Sequence, residues 1–249
     1  MAEGALEHGR WRQSLVGADA GQEAPTLTSS DLCRWMQRAA GAHAEALGLG
    51  FEALCARGLT WMLSRFRVEV RRIPTSLAPL NVTTWPSGVQ RLLARREFVI
   101  DEPSDERAPF AVATSGWLLV DSKSRRPVRP GPFVEHLSLD QHVLDLPGKR
   151  LAAPESTGWK HTCAVRQEDI DFNGHVTNTR YLTWIEEALL RKAGFEGLLS
   201  HLEIDFVSEV LAGEHVSVGA SREGSQDAWS VLMVREEDGA TVAVARVRA

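Results

Sequence analysis

Asp171, Asn173 and His175 stand two residues apart in a polar run that leads directly into an apolar, helix-patterned segment. A carboxylate, an amide and an imidazole are groups that acid–base chemistry draws on. The first takes a proton, the second donates to a developing oxyanion, and the third exchanges a proton near neutral pH. In an extended segment this spacing points all three side chains the same way. Asn178 or Thr177 then caps the helix, because a short polar side chain accepts from the open backbone N–H groups. That helix start carries partial positive charge and stabilises an oxyanion. The plainer alternative is a capped loop whose Asp, Asn and His satisfy backbone groups.

A calcium loop competes for the same residues. Asp169, Asp171, Asn173 and Gly174 fill positions 1, 3, 5 and 6 of the EF-hand pattern. Position 12 should supply a bidentate carboxylate, and Arg180 stands there, which argues against calcium. The flank from Trp159 to Val165 also reads as a strand, not as an entering helix.

The run Asp171-x-Asn173-x-His175-Val176-x-Asn178-x-x-Tyr181-x-x-Trp184 resembles the signature of the acyl-acyl carrier protein (acyl-ACP) thioesterases of fatty acid synthesis. Leu202 to Val210, followed by Gly213-Glu214-His215-Val216, is similar to that family's next signature. Upstream, Arg72-Ile73-Pro74-Thr75 and Val82-Thr83-Thr84-Trp85 resemble its first-half pattern. The likeness runs from about Leu15 to the C-terminus. It implies an α+β double hotdog fold, in which two long helices are each wrapped by a curved antiparallel sheet. It implies hydrolysis of an acyl-ACP thioester to free fatty acid and holo-ACP. Asp171, Asn173, His175 and Glu209 would form the catalytic group, with no cofactor and no metal.

Glu209 follows an apolar strand segment that would bring it to the helix mouth, where a carboxylate serves as general base. A strand-end Glu in solvent is the plain alternative. Asn173 would donate to the oxyanion, His175 would polarise the carbonyl, orient water or shuttle a proton to the thiol, and Asp171 would orient a neighbour or share the base role. The well-known plant members of the family carry a cysteine after the glutamate. Here that residue is Val210, so direct attack by water is expected. Trp35, Ala39, Trp61 and Met62 are candidates for lining an acyl channel, although such residues ordinarily serve as core.

The chain has 249 residues, room for one large domain or two ordinary ones. A hydrophobic share of 43% is enough for a real core. A net charge of −5 argues against general nucleic-acid binding. Arginines nevertheless cluster at 65, 67, 71 and 72, at 91, 95 and 96, and at 125, 126 and 129. They are solvated strand faces or a docking surface for an acidic protein such as the ACP that the resemblance implies. Cys33, Cys55 and Cys163 form no CxxC pair and no disulfide framework, which fits a reducing compartment. No stretch reaches membrane-span length, and Met1 to Arg10 does not resemble a leader, so a cytoplasmic protein is expected.

Residues 1–10 are small and polar and read as disordered. Residues 11–120 read as a first domain: a strand at Trp11–Val16, a helix from Leu32 to Leu47 behind Thr28-Ser29-Ser30-Asp31, and a short helical piece from Phe51 to Arg57. Strands over Leu59–Val70, Leu80–Trp85, Arg91–Ile100 and Phe110–Val120 follow, with a turn at Trp85-Pro86-Ser87-Gly88. Residues 121–156 read as a linker running over the first domain. Residues 157–249 repeat the plan: a strand, the polar loop, a helix stopped by Gly194, and four strands. Aligning Trp35 with Trp184 puts Gln22, Ala24 and Thr26 where Asp171, Asn173 and His175 stand, and Ile73 falls where Glu209 does when Pro74 is matched to Val210. This looks like a fused duplication with one active site, in the second half.

Three rivals share these residues: an acyl-CoA thioesterase, a hotdog dehydratase, and a calcium-binding or non-catalytic acyl-binding module. A double hotdog contains its own pseudo-twofold partner, so a monomer and a homodimer are both compatible with the sequence.

Overall fold

The computed structural model describes residues 4–15, 27–72, 80–103, 108–171, 173–224 and 227–249. Two compact units divide the chain: Met1–Pro25 with Arg34–Gly148, and Thr26–Cys33 with Lys149–Ala249.

The first unit contains β1 (Gly4–Glu7), β2 (Arg10–Leu15), β3 (Leu59–Val70), β4 (Leu80–Gln90), β5 (Leu93–Asp101) and β6 (Ala111–Asp121). They hydrogen-bond in the order β1-β2-β4-β5-β6-β3, antiparallel throughout, and the short β7 (Pro127–Val128) adds to β6. Gly4–Glu7 is a strand where composition suggests a disordered end, because it finds β2 as a partner through a His8-Gly9 turn. β4 continues through Pro86-Ser87-Gly88, where the sequence predicts a turn. A bulge between Pro86 and Gly88 absorbs the proline's missing donor, and pairing with β5 resumes to Gln90.

α1 (Ser29–Ala46) buries Leu32, Cys33, Met36, Ala39, Ala40 and His43, the recurrence of one helix face. Thr28 and Asp31 close a capping box. Asp31 accepts from the Thr28 N–H and hydroxyl at 3.2 and 2.8 Å, and the Thr28 hydroxyl accepts from the Asp31 N–H at 3.1 Å. His43 fastens the helix to the sheet: Trp11 of β2 stacks on it at 6.2 Å, and Arg96 of β5 reaches its Nδ1 at 3.1 Å. Burial, and then the Arg96 charge, hold His43 down to about 4, so the ring is neutral near pH 7. The short α2 (Phe51–Cys55) and α3 (Gly131–Val134) cover Leu49, Leu54, Ala94, Leu119 and Val134.

The proline-rich stretch that follows β6 is tied to the first unit as far as Gly148. Trp85 Nε1 donates to Gln141 O at 2.9 Å, Val143 N–H to the Glu97 carboxylate at 3.2 Å, and Arg67 to Asp145 O at 3.1 Å. Leu144 and Leu146 are buried.

The second unit orders β9 (His201–Phe206), β12 (Thr241–Arg248), β11 (Ala228–Arg235), β10 (His215–Arg222) and β8 (Lys160–Ala164), again all antiparallel. Against it lies α4 (Asn178–Ala193), which buries Tyr181, Leu182, Trp184, Ile185, Ala188 and Leu189. Gly194 ends the helix in the left-handed region at φ 67°, its N–H on Leu190 O at 2.9 Å. Each unit is a long helix on an antiparallel sheet, so the chain is an α+β double hotdog. Gln22, Ala24, Thr26, Ile73, Pro74 and Thr75, used in comparing the halves, lie outside the described residues. No described helix is long and apolar enough to cross a membrane.

Candidate active site

Ile170 and Val176 pair as an antiparallel bridge and close a tight hairpin. Asp171 N–H donates to His175 O at 2.8 Å, and Gly174 N–H to Asp171 O at 3.0 Å. Gly174 sits at φ 83°, a conformation that favours glycine. The Asp171 carboxylate accepts from the backbone N–H groups of Asn173 at 2.8 Å and His175 at 3.4 Å. The extended segment expected here is therefore a turn. A short carboxylate that bonds the backbone two residues on competes with extended structure, and here it prevails. The cap differs too. Thr177 takes the N-cap position of α4 with no side-chain capping bond, and Asn178 is already helical.

Asp169 anchors the approach to this hairpin. Its carboxylate accepts from Arg166 N–H at 2.9 Å and lies 3.0 Å from Arg180 Nε, and its carbonyl accepts from Thr177 N–H at 2.8 Å. Arg180 thus neutralises the first carboxylate of the calcium pattern, as well as standing where the last ligand belongs. The motif residues Tyr181 and Trp184 are packing residues. Their rings meet at 5.4 Å, and Tyr181 also meets Phe206 edge-on at 5.3 Å.

Glu209 follows β9 on a segment fixed from three sides. Val210 is fully buried, its carbonyl accepts from Val176 N–H at 2.9 Å, and Arg235 donates to the Glu209 carbonyl at 2.8 Å. Asp238 holds Arg235 in turn with bonds of 3.0 and 2.7 Å. These restraints bring Glu209 Oε2 to 3.0 Å from His175 Nε2, with the two side chains 32% and 19% exposed. A carboxylate–imidazole pair that is partly desolvated yet open to solvent can take a proton from water and return it elsewhere. Sequence reasoning does not single out Arg235. Its only signal is an arginine at the end of a strand, before the Glu236-Glu237-Asp238-Gly239 turn.

Asp171, Asn173, His175 and Glu209 all belong to the second unit, where the backbone of the first three forms one turn and the last two pair through side chains. Trp35, Ala39, Trp61 and Met62 belong to the first unit. Ala39 is fully buried on α1 and Trp35 is partly buried. Trp61 and Met62 are neighbours on β3 and so leave opposite faces of the sheet. Trp61 packs against the Leu49–Leu119 cluster and donates to Leu49 O at 3.1 Å. All three cysteines are free. Burial, then the nearby Glu187, push the Cys163 thiol up to about 11, which makes it a poor nucleophile at neutral pH.

The acyl-ACP thioesterase N-terminal domain model matches residues 16–132, and the acyl-ACP thioesterase C-terminal domain model matches residues 153–248. A chloroplastic palmitoyl-acyl carrier protein thioesterase of Gossypium hirsutum is 28% identical over 71% of this chain and 45% of its own length. The chain spans about half the length, 45% to 59%, of the first curated relatives it matches. Among solved structures, an acyl-ACP thioesterase from Bacteroides thetaiotaomicron superposes with a TM-score of 0.81 at 24% identity, covering 98% of this chain and 99% of that one. The 12:0-ACP thioesterase of Umbellularia californica gives 0.83 at 20% identity and covers 98% of each chain. At such identities these likenesses establish the shared fold.

Proposed function

Because the chain belongs to the acyl-ACP thioesterase family, whose N- and C-terminal domain models it matches in order, we propose that it hydrolyses an acyl-ACP thioester to free fatty acid and holo-ACP. The observation that carries this reading is the 3.0 Å approach of His175 Nε2 to Glu209 Oε2. Glu209 draws a proton from water as the oxygen attacks the thioester carbon. The Asn173 side chain donates to the oxyanion that develops, a contribution of about 3 kcal/mol for a well-placed donor. His175 holds Glu209 and passes a proton to the sulfur as the carbon–sulfur bond breaks. Asp171 keeps the turn on which Asn173 and His175 ride. Water attacks directly: Val210 stands where plant relatives offer a thiol, and burial makes the Cys163 thiol a poor nucleophile.

The carrier domain is recognised through exposed arginines. Arg65, Arg67, Arg72, Arg95 and Arg96 are used within the first unit, on Pro147 O, Asp145 O, Glu102, Leu144 O and His43 respectively. Arg126 and Arg129 are exposed and suited to an acidic partner. A reducing, cytoplasmic setting belongs to the same reading, supported by the free cysteines.

The test is to supply one acyl chain on ACP and on CoA and follow free thiol and acyl product. Faster thiol release from acyl-ACP supports the reading, and preference for CoA selects the acyl-CoA thioesterase. An enoyl thioester without free thiol identifies a dehydratase, and stoichiometric capture without turnover identifies a binding module.

A further inference from the structure

His161 and Cys163 stand two residues apart on β8, so their side chains leave the same face of the strand. That face looks toward α4: Cys163 is buried, and its two strand neighbours, Thr162 and Ala164, are exposed. Glu187 comes from α4. One ligand-capable atom from each of His161, Cys163 and Glu187 lies within 4.8 Å of the other two. Trp159 stacks on the His161 ring at 6.0 Å with planes 17° apart, which fixes the plane of the imidazole.

We propose that His161, Cys163 and Glu187 bind a borderline-soft divalent cation of the Zn²⁺ class. Sulfur, nitrogen and carboxylate oxygen form a donor set suited to zinc and unsuited to calcium or magnesium, which take oxygen ligands. Zinc bonds of about 2.0–2.3 Å put tetrahedral ligand atoms roughly 3.3–3.8 Å apart, so the three groups need to close by at most about 1–1.5 Å onto the ion. The partial exposure of His161 and Glu187 leaves a fourth position for water. Binding converts Cys163 S–H to a sulfur–metal bond and releases the proton to solvent. Arg180 opposes a cation here, but its nearer partner is Asp169 at 3.0 Å, against 3.7 Å for Glu187. Glu187 is the carboxylate that can turn to the metal.

The placement gives the ion a purpose. β8 and α4 are the two elements that bracket residues 165–177, the segment carrying Asp171, Asn173 and His175. A bond from Cys163 to Glu187 through a metal closes that segment at its base and limits the freedom of the site loop. The site is separate from the His175–Glu209 pair, and the inference stands whether or not the proposed hydrolysis does.

The test is a Co²⁺ titration of the whole chelator-treated protein, read as the thiolate-to-cobalt charge-transfer band in the near ultraviolet, followed by displacement with Zn²⁺. We expect one equivalent bound at micromolar concentration, with loss of the band in Cys163→Ser. Glu187→Gln, which keeps the thiol, should weaken binding at least about tenfold, the loss that even an outer-shell partner causes. Zn²⁺ should raise the Tm of wild type and not of Cys163→Ser. No band overturns the proposal, as does a band that survives in Cys163→Ser and so arises at Cys33 or Cys55. If Cys163→Ser does not fold, unchanged cobalt affinity in Glu187→Gln overturns it alone.

Discussion

At the scale of single residues, the proposed site separates groups assigned to the reaction from a group that builds the turn. His175 and Glu209 meet through their side chains, whereas the Asp171 carboxylate is spent on the N–H groups of Asn173 and His175. An asparagine oxygen accepts the same two bonds. Asp171→Asn should therefore keep the turn and most of kcat, whereas Asp171→Ala should lose about tenfold or more, measured as thiol release by protein of unchanged Tm. Equal large losses in both would show that the Asp171 charge itself takes part. His175→Ala should lower kcat by about 10²–10⁴, the usual worth of a positioned acid–base group. The residue types were legible in the sequence and their arrangement was not. The spacing of Asp171, Asn173 and His175 suits a strand as well as an Asx-turn, and Gly174 tips the balance by accepting a positive φ. Arg235 was invisible, because its task is to hold a backbone carbonyl on a distant segment.

Elements with apolar periodicity were legible nearly to their ends: α1 from its capping box, α4 from its apolar face and Gly194, β3 from Leu59 to Val70. The β4 bulge was not, because only pairing with β5 makes Pro86 tolerable inside a strand. Nor was the partner of the α1 N-terminus. Glu186 of α4 accepts from Ser29 N–H at 2.6 Å. Its carboxyl is raised from 4.5 to about 7, by burial first and also by Asp31, against the hydrogen bonds from Ser29 and Ser30. Below pH 4.5 the folded and unfolded states both hold this proton. Between 4.5 and about 7 only the folded state does, so stability falls as pH rises through that window and then levels. With a discount for partial exposure the penalty is about 1–2 kcal/mol, or roughly 5 °C in Tm. Glu186→Gln should remove this slope and melt above wild type at pH 8. A wild-type Tm that is flat or rising from pH 5 to 7.5, or a slope that persists in Glu186→Gln, would refute it.

For the molecule as a whole, the sequence carried the double hotdog plan through its repeated order of helix and strands and its spaced motifs. It did not show which arginines are committed within the fold: the chain that follows β6 takes the Arg65, Arg67 and Arg95 side chains through its backbone carbonyls. Reversing Arg126 and Arg129 together to Glu should raise KM for acyl-ACP about tenfold and leave acyl-CoA turnover and Tm unchanged. Equal effects on both substrates would remove these residues from carrier recognition. The most direct test of the central claim is the rate of thiol release from acyl-ACP by wild type beside Glu209→Gln. Gln preserves the size of the side chain and an acceptor for His175 Nε2, and it removes the base. The account predicts steady release by wild type and a fall in kcat of about 10²–10⁴ in a variant with unchanged Tm and KM. A folded Glu209→Gln that retains wild-type kcat would contradict it.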